Sequence, residues 1–241
     1  MRVKRVIVVP PDGPGSKGDE GMLRGALELF RSFPIMILNP RPDESWIGYL
    51  QPNRPVLERL SEAGGALPSF APRLEDGDLL FVIGADVIDG TCGIEPAIER
   101  LDLMAAALAR RVPVYVHSSF RSSVETRILD DLAFLQGARF LLRDELSLEN
   151  FQRQTNIQSR FFPDLSFFYK PQSHSQIAAD LARRVVAMRN SYSPILGVNF
   201  AEHSFRSFYD EHTDANRREF VATVLTGLAA AHRSAAFVLL S

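Results

Sequence analysis

The sequence predicts a doubly wound, mainly parallel α/β fold. Three observations point there. Short continuous apolar runs of strand length recur along the chain, amphipathic helical stretches alternate with them, and glycine or proline loops punctuate the run ends. A strand covered on both faces reads as an unbroken apolar run, and a parallel sheet with helices on each side supplies that cover. The chain has 241 residues, 46% of them hydrophobic and 23% charged, ample material for a buried core.

The elements follow in order. Val3 to Val9 is a β-branched strand, stopped by Pro10-Pro11-Asp12-Gly13-Pro14-Gly15. A helix comes next, with Met22, Leu23, Ala26, Leu27, Leu29 and Phe30 on one face. Asp19 and Glu20 lie in its first turn, where the helix dipole favours negative charge. Pro34 to Leu38 is a second strand, and Leu57 to Ala63 reads as a helix ending at Gly64-Gly65. Asp78 to Ile83 is the most apolar strand, ended by Gly84, and Ala97 to Arg111 is a helix with Ile98, Leu101, Met104, Ala105 and Leu108 in one stripe. Val112 to Val116, Arg139 to Leu142 and Ser159 to Phe162 read as strands, with helices at Val124 to Gln136 and Asp144 to Phe151. Asp144 fits a helix N-cap, with Ser147 at the third helical position.

A boundary is expected near Lys170-Pro171-Gln172-Ser173-His174-Ser175, a polar stretch broken by proline. It divides an N-terminal Rossmann-like domain, residues 1–170, from a second α/β unit, residues 171–241. That unit has helices at Gln176 to Arg189 and Asp214 to His232 and strands at Pro194 to Phe200 and Ala235 to Leu240. It reads as the start of a second domain, apparently incomplete, whose open sheet edge would allow homo-oligomers to form.

Composition excludes several classes. The net charge is −2, so there is no basic field for nucleic acid. The single cysteine, Cys92, rules out an intrachain disulfide and a cysteine-based zinc site, and reads as a loop or buried thiol. The five histidines form no metal-ligand spacing, and no apolar stretch has the length of a signal peptide core or a membrane span. A soluble cytoplasmic protein without transmembrane segment, metal or nucleic-acid partner is expected.

Doubly wound sheets bind ligands at the carboxyl ends of their strands. Four places there carry chemistry. The loop from Gly13 to Gly21 offers backbone N–H groups but fits neither a dinucleotide cradle nor a Walker loop. Gly84-Ala85-Asp86 joins a residue that permits close backbone approach to a carboxylate able to accept hydroxyl protons or to order the loop. His117 ends a strand at the same rim. Arg143 ends another, and its guanidinium fork suits a carboxylate or phosphate.

The order of these pieces resembles the polysaccharide pyruvyl transferase family. That family opens with a strand and an N-x-G-D-E loop, matched by Ser16-Lys17-Gly18-Asp19-Glu20, with serine in place of asparagine. An aspartate-led apolar strand ending in glycines is matched by Asp78 to Gly84, with Ala85-Asp86 where more glycine is usual. Pro113 to Phe120, Arg143-Asp144-Glu145-Leu146-Ser147, Pro163-Asp164 and Gly197-Val198-Asn199-Phe200 match the later pieces. The resemblance implies a GT-B-like two-domain architecture and transfer of a pyruvyl group from phosphoenolpyruvate to a sugar of a polysaccharide or glycan precursor. It implies no cofactor, phosphoenolpyruvate being the donor substrate. Asp19, Glu20 and Asp86 become candidates for sugar binding or base work, and Ser16, Gly18, Gly84, His117 and Arg143 for substrate contacts. Family members are longer and take further donor-binding residues from the later second domain, so this chain is expected to be weakly active or inactive alone. The competing expectations are a GT-B-like glycosyltransferase using a nucleotide-sugar and a non-catalytic paralogue that binds a sugar or anion.

Overall fold

The computed structural model describes residues 3–41, 43–50, 58–169, 176–189, 191–193, 195–199 and 214–240. The chain forms two compact units, residues 1–170 and 171–241. In the first, seven strands make one sheet: β1 (Arg5–Val9), β2 (Ile35–Asn39), β3 (Leu60–Gly64), β4 (Asp78–Ala85), β5 (Val114–Ser118), β6 (Arg139–Leu142) and β7 (Ser159–Phe161). Their spatial order is β3-β2-β1-β4-β5-β6-β7, and every adjacent pair is parallel. The chain winds outward from β1 to β3, returns to place β4 beside β1, and winds outward the other way. This is the doubly wound, Rossmann-like layout that the apolar runs predict.

Helices α1 (Lys17–Leu29), α2 (Trp46–Leu50), α3 (Ile94–Ala109), α4 (Thr126–Leu132) and α5 (Glu145–Gln154) cover the sheet, with 3-10 turns at Leu67–Arg73 and Leu165–Phe168. Successive strand side chains point to opposite faces. Val6 and Val8 of β1 therefore pack with Leu23 and Ala26 of α1 and Trp46 of α2, while Ile7 and Val9 pack in the core of Leu101 and Met104 of α3 and Phe151 of α5. Both faces being buried, the strand has no polar alternation to show.

The expected helix at 57–63 is a correction. Residue 57 lies outside the described residues, and Leu60–Gly64 is strand β3, paired in register from Ile35↔Leu60 to Asn39↔Gly64. A window of seven residues fits either period, and the free edge of β2 supplies backbone partners that a helix would leave unused. Glu62 of β3 then accepts hydrogen bonds from Asn39 Nδ2 (2.8 Å), Ser45 Oγ (2.7 Å) and the N–H groups of Trp46 (2.9 Å) and Ile47 (3.1 Å), which ties the strand to the start of α2. The short α2 and the two 3-10 turns are too brief for a period to reveal. Helix α4 ends at Leu132, earlier than the expected Gln136.

The second unit contains α6 (Gln176–Arg189), β8 (Ile195–Asn199), α7 (Asp214–Ala231) and β9 (Ala236–Leu240). Strands β8 and β9 pair in parallel from Ile195↔Ala236 to Asn199↔Leu240, so they form one β-α-β crossover. The expected boundary stretch 170–175 and the strand ends Pro194 and Phe200 lie outside the described residues. Among the described residues no helix is long and apolar enough to cross a membrane.

Candidate functional site at the strand switch point

The chain's two directions of winding diverge between β1 and β4, and a ligand crevice is expected outside the carboxyl ends of that pair. A cavity of about 300 Å3 lies there. Pro11 and Asp12 line it from the exit of β1, Asp19 from α1, Pro40 and Arg41 from the exit of β2, and Asp86 and Val87 from the exit of β4. Cys92, Pro96, Glu99 and Arg100 close it from the loop before α3 and the first turns of that helix.

Local sequence explains how each group arrives. Ser16 is the N-cap of α1, extended at φ −80° and ψ 125°, and its Oγ accepts from the Asp19 N–H at 3.4 Å. That starts the helix so that Asp19 falls in its first turn. Burial pushes the Asp19 carboxyl up from its ordinary value; a hydrogen bond to Ser16 opposes this, the nearby Asp86 and Asp12 carboxylates add to it, and Arg100 opposes it. Asp86 follows Ala85, whose φ of +43° is left-handed. Asp12 is paired with Arg41 at 2.7 Å.

Arg100 went unpredicted. It is 2% exposed, and its guanidinium donates to the carbonyls of Pro96 (2.8 Å), Pro10 (3.2 Å) and Pro11, clamping the exit of β1 to α3. Its Nε has no partner. Burial pushes its pKa down, while Asp12, Glu99, Cys92 and Asp19 work the other way. The signal was available: a charged residue in the apolar stripe of a helix, three after Ala97 and four before Met104. Cys92 is exposed, and desolvation followed by the influence of Asp86 and Asp89 pushes its thiol up to about 11. It is therefore a protonated thiol at neutral pH.

The remaining predicted residues lie elsewhere. Glu20 points away from the cavity into ion pairs with Lys17 and Arg24, both at 2.9 Å. Burial raises its carboxyl pKa, but the hydrogen bonds from Lys17 and Arg24 outweigh that and hold it low. Gly18 is exposed in the first turn of α1 and takes no part in the cavity wall. Gly84 does not serve a ligand's close approach: a Cβ there would strike Ile88 and lie 3.0 Å from Ser118 Oγ, so the space is already filled by the protein.

His117 is fully buried, not on the rim. Its Nε2 lies 3.2 Å from the Pro163 carbonyl, Phe162 meets its ring edge-on at 6.1 Å, and Nδ1 has no partner. Burial pushes its pKa down, against an upward pull from Asp164. Arg143 sits at the end of β6, two strands from β4, with its side chain 34% exposed. Its nearest carboxylates, Asp144 and Asp164, are both at 3.9 Å, beyond hydrogen-bond reach. Asp144 is the α5 N-cap as predicted, accepting from the Ser147 N–H at 2.7 Å. The structure thus joins Asp19 and Asp86 in one cavity and sets Arg143 in a second group beside Asp164 and the buried His117.

Compared with protein-family models and with curated proteins, the sequence matches none. Among the described residues no group of three or more His, Cys, Asp or Glu side chains is placed to hold a metal ion.

Proposed function

We propose that this chain is pyruvyl transferase-like and that the carboxyl edge of its seven-stranded sheet binds a sugar and phosphoenolpyruvate. One observation carries the reading: Asp19 and Asp86, far apart in sequence and both in the pieces that resemble the family, line a single cavity at the β1–β4 switch point. Four carboxylates and two guanidiniums line it, Arg100 being spent on backbone carbonyls and Arg41 on Asp12. Such a wall accepts hydrogen bonds from hydroxyl groups and repels a doubly anionic donor. The sugar belongs in this cavity. The donor belongs at Arg143, whose fork lies 3.9 Å from Asp144 and Asp164, beyond hydrogen-bond reach of either, and suits the donor's carboxylate and phosphate.

The chemistry then balances. Two sugar hydroxyls add to C2 of phosphoenolpyruvate, the methylene carbon takes one proton and becomes methyl, and inorganic phosphate leaves with the second. Asp19 and Asp86, in the cavity that takes the sugar, suit the base role that takes a hydroxyl proton.

Thermal-shift titration of the full chain tests this. Phosphoenolpyruvate at about a hundred times its Kd is expected to stabilise the protein by roughly 2–3 kcal/mol. Inorganic phosphate is expected to do less, and Arg143→Ala to abolish the effect. Stabilisation by a nucleotide-sugar in its place, or no response to any of the three, overturns the proposal.

A further inference from the structure

Ala85, the last residue of β4, is in the left-handed region at φ +43°. Glycine adopts that conformation freely, whereas the Cβ of an L side chain crowds the following carbonyl oxygen. The pairing with β5 also slips here: Ile83 is opposite His117, yet Ala85 is opposite Ser118, so Gly84 is the extra residue of a bulge. The Ala85 carbonyl is held by three donors, the Ser118 Oγ (2.8 Å), the Ser119 Oγ (2.8 Å) and the Ser119 N–H (2.7 Å). A carbonyl oxygen has two lone pairs, so this one is fully engaged. Ser118 is buried, and its Oγ also lies 2.7 Å from the Ser119 carbonyl, so its single proton is shared. Neither serine lines the cavity, but the residue after Ala85 does.

Strained backbone persists only where its surroundings over-determine it, and it gathers at functional sites. We infer that Ser118 and Ser119 are positioning residues, gripping the Ala85 carbonyl to hold the left-handed turn that presents Asp86 to the switch-point cavity. Without the grip the alanine relaxes towards the extended region and carries Asp86 with it. The inference builds on the cavity being the binding site proposed above, but its test uses no substrate.

Cys92 is the chain's single cysteine, is exposed, and stands close enough to Asp86 for that carboxylate to suppress its ionisation. Only the thiolate is alkylated, so the rate of reaction with iodoacetamide at about pH 9 reports where Asp86 is. Asp86→Asn is expected to speed alkylation roughly threefold to tenfold. Ser119→Ala is expected to speed it comparably, while Ser119→Thr, which keeps the hydroxyl, stays at the wild-type rate. Ala85→Gly combined with Ser119→Ala is expected to return towards wild type, because glycine keeps the turn unaided. A wild-type rate in Ser119→Ala overturns the inference, as does an unchanged rate in Asp86→Asn. If Ser119→Ala alone does not fold, Ser118→Ala, which removes the other hydroxyl donor to the Ala85 carbonyl, decides: a wild-type rate there overturns the grip. Failure of phosphoenolpyruvate to bind leaves every one of these rates unchanged, so the two readings fail separately.

Discussion

Gly25 of α1 faces Leu165 so closely that a Cβ on the helix would collide with the Leu165 carbonyl. One turn earlier, a Cβ on Gly21 would lie 3.3 Å from the Ser166 side chain. The two glycines form a notch that seats the 3-10 turn Leu165–Phe168, bringing the chain back from the outermost strand β7 to the helix beside β1. Arg24, between them, donates to the Leu50 carbonyl at 2.9 Å and lies over the Tyr169 ring.

Gly25→Ala is therefore expected to destabilise the protein by roughly 2–3 kcal/mol, the upper end for a core overpacked against rigid backbone. Gly18→Ala is the control within the same helix. Its Cβ would find only Ser16 Oγ at 3.8 Å, so relief of glycine's entropy is expected to add roughly 0.5 kcal/mol. Urea unfolding of the two variants checks both signs.

Arg100→Met keeps most of the side-chain volume but removes the donors to Pro10, Pro11 and Pro96. Charged hydrogen bonds and buried carbonyls left without partners put the expected loss at roughly 2–4 kcal/mol. An equilibrium unfolding curve indistinguishable from wild type would show that the clamp holds nothing.

The Asp19 carboxyl is raised above 3.8 in the folded protein, mainly by burial. Its contribution to stability is then full below pH 3.8 and lost as pH rises through the folded value. Asp19→Asn removes that loss. The variant is expected to melt above wild type at pH 7, with the two curves converging below pH 3.8. Melting temperatures across that range measure it.

His117 has the opposite sign. Its folded pKa is pushed below 6.5 by burial, so its contribution is present above pH 6.5 and lost as pH falls towards the folded value. His117→Gln retains a donor for the Pro163 carbonyl and cannot titrate. Wild type is expected to lose stability between pH 7 and pH 5, and the variant to lose less, in chemical denaturation at each pH.

Part of the candidate site was legible along the chain. The rule that doubly wound sheets bind at strand carboxyl ends led to Asp19, Asp86 and Arg143, and the Asp144 cap followed from side-chain chemistry three residues apart. Glu20 misled because it adjoins Asp19 in sequence, yet one residue along a helix turns the side chain about 100° away, towards Lys17 and Arg24. Gly84 misled because a glycine after a strand suits close packing by the protein itself as well as by a ligand. Arg100 was hidden inside a helix whose apolar stripe drew attention from its one buried charge.

Periodicity, caps and strand-ending glycines are local properties, set by side chains within a turn or two of one another. They determined the α/β class and which loops reach the carboxyl edge of the sheet. Which loops meet there was decided by strand order. That order depends on which sheet edge each strand pairs with, a contest between backbone groups tens of residues apart. Placing β4 beside β1 brought Asp86 to Asp19, and placing β6 two strands away kept Arg143 apart from both.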